Sequence, residues 1–167
     1  MYEEMTKEDI AKIEEEIEHR KLVVRKEAIQ AVKEARAHGD LSENFEYHAA
    51  KQFKNQNESR IRYLEKMVKT ARVIEDSSAD DEVGLFNTVT VYVPEDDMEQ
   101  QFKIVTSIRG NSLNGLISIE SPVGKALMGH KVGDTVTVKV SDDYSYDMEI
   151  RNIEKTTDDG TDDIRSF

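Results

Sequence analysis

The first 38 residues contain neither glycine nor proline, and after Gly39 a second such stretch runs from about residue 43 to 75. Two long segments without a helix breaker, separated by a short turn, constrain this fold more than any other feature. In the first, apolar residues recur at Ile10, Ile13, Ile17, Val24, Ala28, Ala31 and Ala35. Steps of mostly three, four or seven make one helical stripe. Thr6, with Asp9 three residues later, marks a helix start, so the pattern predicts one helix over roughly 6–37. Gly39 supplies the left-handed cap that ends it. The second stripe is Tyr47, Ala50, Phe53, Ile61, Leu64, Val68 and Ala71, near coiled-coil spacing. Two long helices joined by a few residues must run antiparallel, giving a shaft ~45 Å long at 1.5 Å per residue. Its middle, Lys54-Asn55-Gln56-Asn57-Glu58-Ser59, is poor in large apolar groups, so the base needs an anchor of another kind.

Composition changes at Asp76-Ser77-Ser78-Ala79-Asp80-Asp81, which reads as a linker. β-branched runs follow. Thr88–Val93 alternates as a strand should, and Phe102–Thr106, Gly115–Ile119, Asp134–Val140 and Tyr146–Ile153 are further strands. Ser121-Pro122 opens a short helix as cap and first position, and Gly129 closes it. The expected class is therefore α+β. A long antiparallel coiled-coil hairpin occupies 1–75 and a linker 76–83. A small antiparallel β domain with one short helix occupies 84–155. The acidic tail 156–167 has little apolar content and is expected to be disordered.

The chain of 167 residues suits one large domain or two small ones, and its 37% hydrophobic and 35% charged residues suit an elongated module. The absence of cysteine excludes a disulfide scaffold, a thiol nucleophile and a Cys-ligated zinc site. No apolar run approaches a membrane span. MYEEMTKEDI has neither the basic start nor the apolar core of a signal peptide, so the expected class is soluble and intracellular. Of the net charge of −12, little falls early. Residues 1–75 hold 15 Lys and Arg against 16 Asp and Glu, and residues 76–167 hold 8 against 19. The overall sign argues against non-specific duplex binding. Within the first part, Arg20, Lys21, Arg25, Lys26 and Arg60, Arg62, Lys66, Lys69, Arg72 form basic clusters. They read either as solvated helix faces with interhelical ion pairs or as a patch for phosphates.

The turn reads Gly39-Asp40-Leu41-Ser42-Glu43-Asn44-Phe45-Glu46-Tyr47-His48-Ala49-Ala50-Lys51. Two carboxylates stand three residues apart at the far end of a long arm. Asp40 as N-cap with Glu43 closing a capping box is one reading of the spacing. Supplying ligands to Mg²⁺, which accepts one or two carboxylates and keeps most of its waters, is the other. Ser42 and Asn44 are turn formers that are also suited to orienting a water or touching RNA. Tyr47 is suited either to stacking on a base or to packing across the two helices. His48 has no second histidine at ligand spacing, which speaks against zinc. Arg36, Lys51 and Lys54 flank the tip.

The runs Ala35-Arg36-Ala37-His38-Gly39-Asp40-Leu41-Ser42-Glu43-Asn44 and Glu46-Tyr47-His48-Ala49-Ala50-Lys51 closely resemble the signature of the Gre-type bacterial transcript cleavage factors. So do Leu116-Ile117-Ser118, Ser121-Pro122-Val123-Gly124-Lys125-Ala126-Leu127-Met128-Gly129 and Val132-Gly133-Asp134. The resemblance covers roughly residues 5–154. It implies an N-terminal coiled coil and an FKBP-like C-terminal domain. It also implies a transcription elongation factor that is not itself an enzyme. Such a factor binds RNA polymerase through the second domain, inserts the coiled coil into the secondary channel and stimulates the polymerase's own cleavage of backtracked RNA. The family's acidic pair falls on Asp40 and Glu43. The implied cofactor is Mg²⁺ shared with the polymerase and none of the chain's own. The implied partners are RNA polymerase and the nascent RNA 3′ end, touched by Ser42, Asn44, Tyr47, Arg36 and Lys51. The protein would act as a monomer in the bacterial cytoplasm, without a membrane.

Two features depart from that pattern: Phe45 stands where alanine is usual, and Thr106–Asn111 lacks the usual acidic run. The rival readings are an inhibitory paralogue that fills the channel without promoting cleavage, an FKBP-type prolyl isomerase, and a coiled-coil adaptor with no chemistry at its tip.

Overall fold

The structure is a computed structural model that describes residues 3–39, 44–160 and 162–165. The chain divides into two compact units. Lys7–Arg72 with the N-terminal three residues forms the first, and Val73–Phe167 with Glu4–Thr6 forms the second. None of the helices among the described residues is long and apolar enough to cross a membrane.

The first unit is a helical hairpin. Its ascending limb is α1 (Lys7–His19), a π-helical turn (Arg20–Val24) and α2 (Arg25–Arg36), and its descending limb is α3 (Phe45–Thr70). At 1.5 Å per residue the 26 residues of α3 span about 39 Å. Burial follows the sequence stripe at Ile13, Ala28, Ala35, Ile61 and Leu64, with Met67 added. Large apolar groups close the base, where Ile13 lies at the level of Ile61 and Leu64. Near the turn only alanines are buried on α2, so the two helices approach closely and the arm is thin there.

Between those zones the seam is polar. Asn57 and Arg60 are buried on α3, whereas Phe53 is 44% exposed and lies off the seam. Arg60 Nε donates to Glu16 Oε2 at 2.9 Å, and Arg20 Nε donates to the same oxygen at 2.7 Å. Arg20 Nη1 donates to Asn57 Oδ1 at 3.1 Å, and Asn57 Nδ2 donates to the Arg20 carbonyl at 3.2 Å. That carbonyl also accepts the Arg25 N–H, the bond that defines the π turn. Apolar periodicity predicted one unbroken helix. The interruption falls where a side chain from the partner helix bonds into the ladder, a recognised cause of local widening.

The same bonds settle the basic clusters. Arg25 makes a two-pronged pair with Glu58, both contacts at 2.9 Å, and Lys21 reaches Glu65 at 3.4 Å. With Glu16 between Arg20 and Arg60, the cations Arg20, Lys21, Arg25 and Arg60 belong to an ion-paired face, while Lys26, Arg62, Lys66 and Lys69 are exposed to solvent.

The short strands β1 (Glu4–Met5) and β2 (Arg72–Val73) pair, and within the second unit Ile74 N–H donates to the Met5 carbonyl at 2.8 Å. The main sheet has β3 (Thr88–Val93), β4 (Met98–Val105), β5 (Leu116–Ser118), β6 (Thr135–Lys139) and β7 (Ser145–Glu154), in spatial order β5-β4-β3-β7-β6. Alternation in β3 buries Val89, Val91 and Val93. They pack with Ile104, Val136, Val138, Met148, Ile150 and Leu127. Leu127 belongs to α4 (Pro122–Leu127), whose cap is Ser121, accepting from the Gly124 N–H at 3.1 Å. Gly124 is obligatory, because a Cβ there would sit 2.0 Å from the Ser118 carbonyl oxygen.

The sheet is mixed, not wholly antiparallel as expected: β5 runs parallel to β4. Residues 106–115 hold two short 3₁₀ turns, Ser107–Arg109 and Ser112–Asn114, and the chain crosses over through them instead of reversing in a hairpin.

The tail also differs from expectation, since its described residues are bonded to the sheet domain. Thr156 hydroxyl and carbonyl bond Phe86, Thr88 and Asn87. Asp158 forms an ion pair with Arg109 at 2.8 Å, with side chains 10% and 1% exposed, and Lys103 pairs with Asp162 at 2.8 Å. Hydrophobic content was the wrong measure here. The tail is held by charge, and removing one partner of such a buried pair typically costs about 3–5 kcal/mol.

The polar seam yields a pH test. Burial raises the Glu16 pKa, but hydrogen bonds from Arg60 and then Arg20 outweigh it and hold the carboxyl below its usual value. A folded-state pKa below the unfolded one means that the network stabilises above the ordinary glutamate range and loses that contribution as pH falls through the lowered pKa. Glu16→Gln is expected to cost about 2 kcal/mol near neutral pH, the scale of hydrogen bonds to charged groups. The wild-type advantage should shrink as pH falls through that lowered pKa. Urea unfolding followed by helix circular dichroism across that range checks it. A gap that is constant with pH would contradict the assignment.

Candidate functional site

The arm ends in two helix termini tied by one side chain. Asn44 is the N-cap of α3, with its Oδ1 accepting the Tyr47 N–H at 3.0 Å. Its Nδ2 donates to the Ala35 carbonyl in the last turn of α2 at 2.7 Å. One amide therefore satisfies an orphan donor of one helix and a carbonyl of the other, since it carries both an acceptor oxygen and a donor nitrogen. On the α2 side His38 N–H bonds Ala35 and Gly39 N–H bonds Arg36, with Gly39 at φ +104° in the region that glycine favours. The ends of the segment that joins the helices are thus anchored at Gly39 and Asn44.

Asp40, Leu41, Ser42 and Glu43 lie outside the described residues, so the placement of both acids and of Ser42 is not part of this geometry. The capping-box reading is nonetheless corrected. α3 begins at Phe45 and Asn44 fills the cap position, which leaves Asp40 four residues too early to cap that helix.

The remaining residues expected at the tip are on the page. Tyr47 is half-buried and takes the packing role: Arg36 Cζ from α2 lies 5.9 Å from its ring centroid, and His48 meets it edge-on at 5.6 Å. Arg36 and Lys51 are exposed cations, and Lys54 is half-buried. An exposed pair, His38 Nδ1 to Glu46 Oε2 at 3.1 Å, links the two helix ends again. Phe45, the first residue of α3, is 86% exposed. The double role of Asn44 was missed in the sequence. Its signal was there, an Asn three residues before Tyr47 at the head of an apolar-periodic run.

Among the described residues, Asp158, Asp159 and Asp162 form an acidic group close enough to share an ion. Asp158 and Asp162 are already paired with Arg109 and Lys103. A depression of about 330 Å³ in the second unit is floored by Ile74, Val83, Leu85, Ile119 and Met128 and rimmed by acids. It has no aromatic lining of the kind a prolyl-isomerase site requires.

Comparison with known proteins agrees in both halves. The family model for the transcription elongation factor N-terminal domain, GreA/GreB type, matches residues 3–73, and the model for the GreA/GreB C-terminal domain matches residues 78–155. Transcription elongation factor GreA of Streptococcus pneumoniae (strain G54) is 42% identical over 153 residues, covering 91% of this chain and 95% of that protein. GreA of Streptococcus sanguinis (strain SK36) matches to the same extent. Among solved structures, the GreA factor homolog Gfh1 of Thermus thermophilus is 26% identical with a TM-score of 0.43, covering 92% of this chain and 99% of that one.

The two bonds of Asn44 are separable by substitution. Asn44→Ala should cost about 1–3 kcal/mol, a cap plus a neutral hydrogen bond. Asn44→Asp keeps the cap acceptor but replaces the donor to Ala35 with a carboxylate oxygen that the carbonyl repels, so it should retain the cap while losing the tie to α2. Protection of the Tyr47 amide against hydrogen exchange should fall in Asn44→Ala and persist in Asn44→Asp. Equal loss in both would refute the cap assignment.

Proposed function

The chain belongs to the GreA/GreB family of transcription elongation factors, and we propose that it binds RNA polymerase and stimulates the polymerase's cleavage of backtracked RNA. On this reading it is not an enzyme by itself. It acts in the bacterial cytoplasm, where transcription takes place, and contributes positioning and charge to a site that the polymerase completes.

The observation that carries the reading is the joined end of the arm. Asn44 ties α2 to α3, so Asp40 and Glu43 fall between two anchored helix ends on a limb that narrows to alanine contacts. Neither acid is needed to cap α3. An arm of that slenderness suits entry into a channel, and a carboxylate pair suits a hard cation with oxygen ligands. Asp40 and Glu43 would hold Mg²⁺ jointly with the polymerase, and the ion would polarise the phosphate and lower the pKa of a bound water. The acids' own contribution would be negative charge offered to the ion. Ser42, between them in sequence, would orient the water. Arg36 and Lys51 offer charge to the RNA backbone. Arg20 to Arg25 and Arg60 are omitted from the RNA contacts, because Glu16 and Glu58 already hold them.

A second reading draws on one observation. Phe45 adds exposed bulk at the tip, which suits a factor that fills the channel without promoting cleavage. The two readings diverge in RNA length: the first shortens backtracked transcripts and the second leaves them intact.

Asp40→Asn and Glu43→Gln keep shape and remove charge. Each is expected to reduce factor-dependent cleavage about tenfold or more. Affinity for the polymerase and the unfolding midpoint should stay near wild type, and added Mg²⁺ should restore part of the rate. Transcript cleavage in a stalled complex, with binding measured in parallel, checks this. Normal cleavage by both variants would remove the acids from the mechanism, and joint loss of binding and stability would make them structural.

A further inference from the structure

We propose that Phe45 stacks on an unpaired base in the 3′ segment of the RNA, and so holds the strand at the end of the arm. This rests on the cleavage-factor reading and adds a contact to it. The ring is 86% exposed, at the first position of α3, directly after the residue that joins the two helices. Its Cα is held by the Asn44 cap, and a phenylalanine has only two side-chain torsions to immobilise. The entropy cost of presenting the ring to a ligand is therefore small.

The other tip aromatic is already engaged. Tyr47 is half-buried, with Arg36 over its ring at 5.9 Å and His48 at its edge. Phe45 is thus the aromatic with an open face. Among the described residues it stands on mainly polar ground: Glu46, His48 and Gln52 around it are exposed, Ala49 is a small exposed apolar neighbour, and the next large exposed apolar residue along α3, Phe53, lies eight residues or about 12 Å down the helix. A protein-docking hot spot is ringed by further contact surface that excludes water. A lone ring among polar residues instead suits a flat ligand with a charged backbone. Stacking of bases on aromatics, with cations tracking the phosphates, is how single strands are held without sequence preference. The exposed Arg36 and Lys51 supply those cations.

The test uses the full chain with a stalled polymerase complex. Its RNA carries either ordinary nucleotides or a single abasic nucleotide at one of the last few 3′ positions. Phe45→Ala should lower factor-dependent cleavage of ordinary RNA about tenfold, in the lower half of the range for one stacked base. Phe45→Trp should retain activity and Phe45→Leu should behave like alanine. At one abasic position the wild type and Phe45→Ala should become equal. Affinity for the same complexes, read without cleavage, should show the same pattern, so the contact is decided even if no cleavage is stimulated. Wild-type behaviour of Phe45→Ala in both readouts would overturn the proposal, as would rescue by leucine, which marks an apolar protein pocket. A penalty that persists at every abasic position would overturn it too. Loss of wild-type cleavage with base-dependent binding intact would instead reject the cleavage reading alone.

Discussion

The bond on which the rest of the arm depends is the one between Asn57 and the backbone of Arg20. A hairpin with so few large apolar residues in its middle has little to stop one helix sliding along the other. A buried amide that must meet one particular carbonyl penalises every other register, because a shifted seam would leave the amide unsatisfied. Glu16 then draws Arg20 and Arg60 into the same layer, and the π turn opens where Asn57 bonds. Such layers contribute specificity more than stability. Specificity is what a lever needs when its purpose is to hold a few residues in one place at its end.

From that layer the consequences run toward the tip. Register fixed at residues 16–25 against 57–60 sets which residues of α2 and α3 face each other above it. There the buried contacts are alanines, so the limb is narrow. At the end Asn44 repeats the device of Asn57, an amide that serves both helices at once. Acids pair with Arg20, Lys21, Arg25 and Arg60 along the shaft, so these cations are already engaged within the arm. The charges proposed to act, those of Asp40 and Glu43, are the ones the capping geometry does not claim.

Much of this was legible in the sequence, and most of the failures share one cause. Ile13, Ala28, Ile61 and Leu64 were found by period alone, Gly39 by its conformation, and Ser121-Pro122 by capping chemistry. The strands were located because valine and threonine alternate in them. What escaped was decided by polar pairs between distant residues. Phe53 was placed in the seam and Asn57 and Arg60 out of it, because apolar periodicity cannot see a buried ion network. The tail was expected to be disordered because its acids have no apolar content. Their partners Arg109 and Lys103 lie some fifty residues earlier. The parallel β5 was missed because the crossover through residues 106–115 leaves no hydrophobic pattern. At the site, the family signature pointed to Asp40 and Glu43, while the division of labour between capping and chemistry became visible only with Asn44 in place.

The central claim is that this arm converts a backtracked polymerase into one that cuts its own transcript. The most direct measurement is the length of end-labelled RNA in a purified backtracked complex, followed in time with and without the wild-type protein in Mg²⁺. The account predicts faster shortening of the RNA from its 3′ end, with the rate saturating as the protein saturates the polymerase. RNA of unchanged length in a complex that demonstrably holds the protein would contradict it.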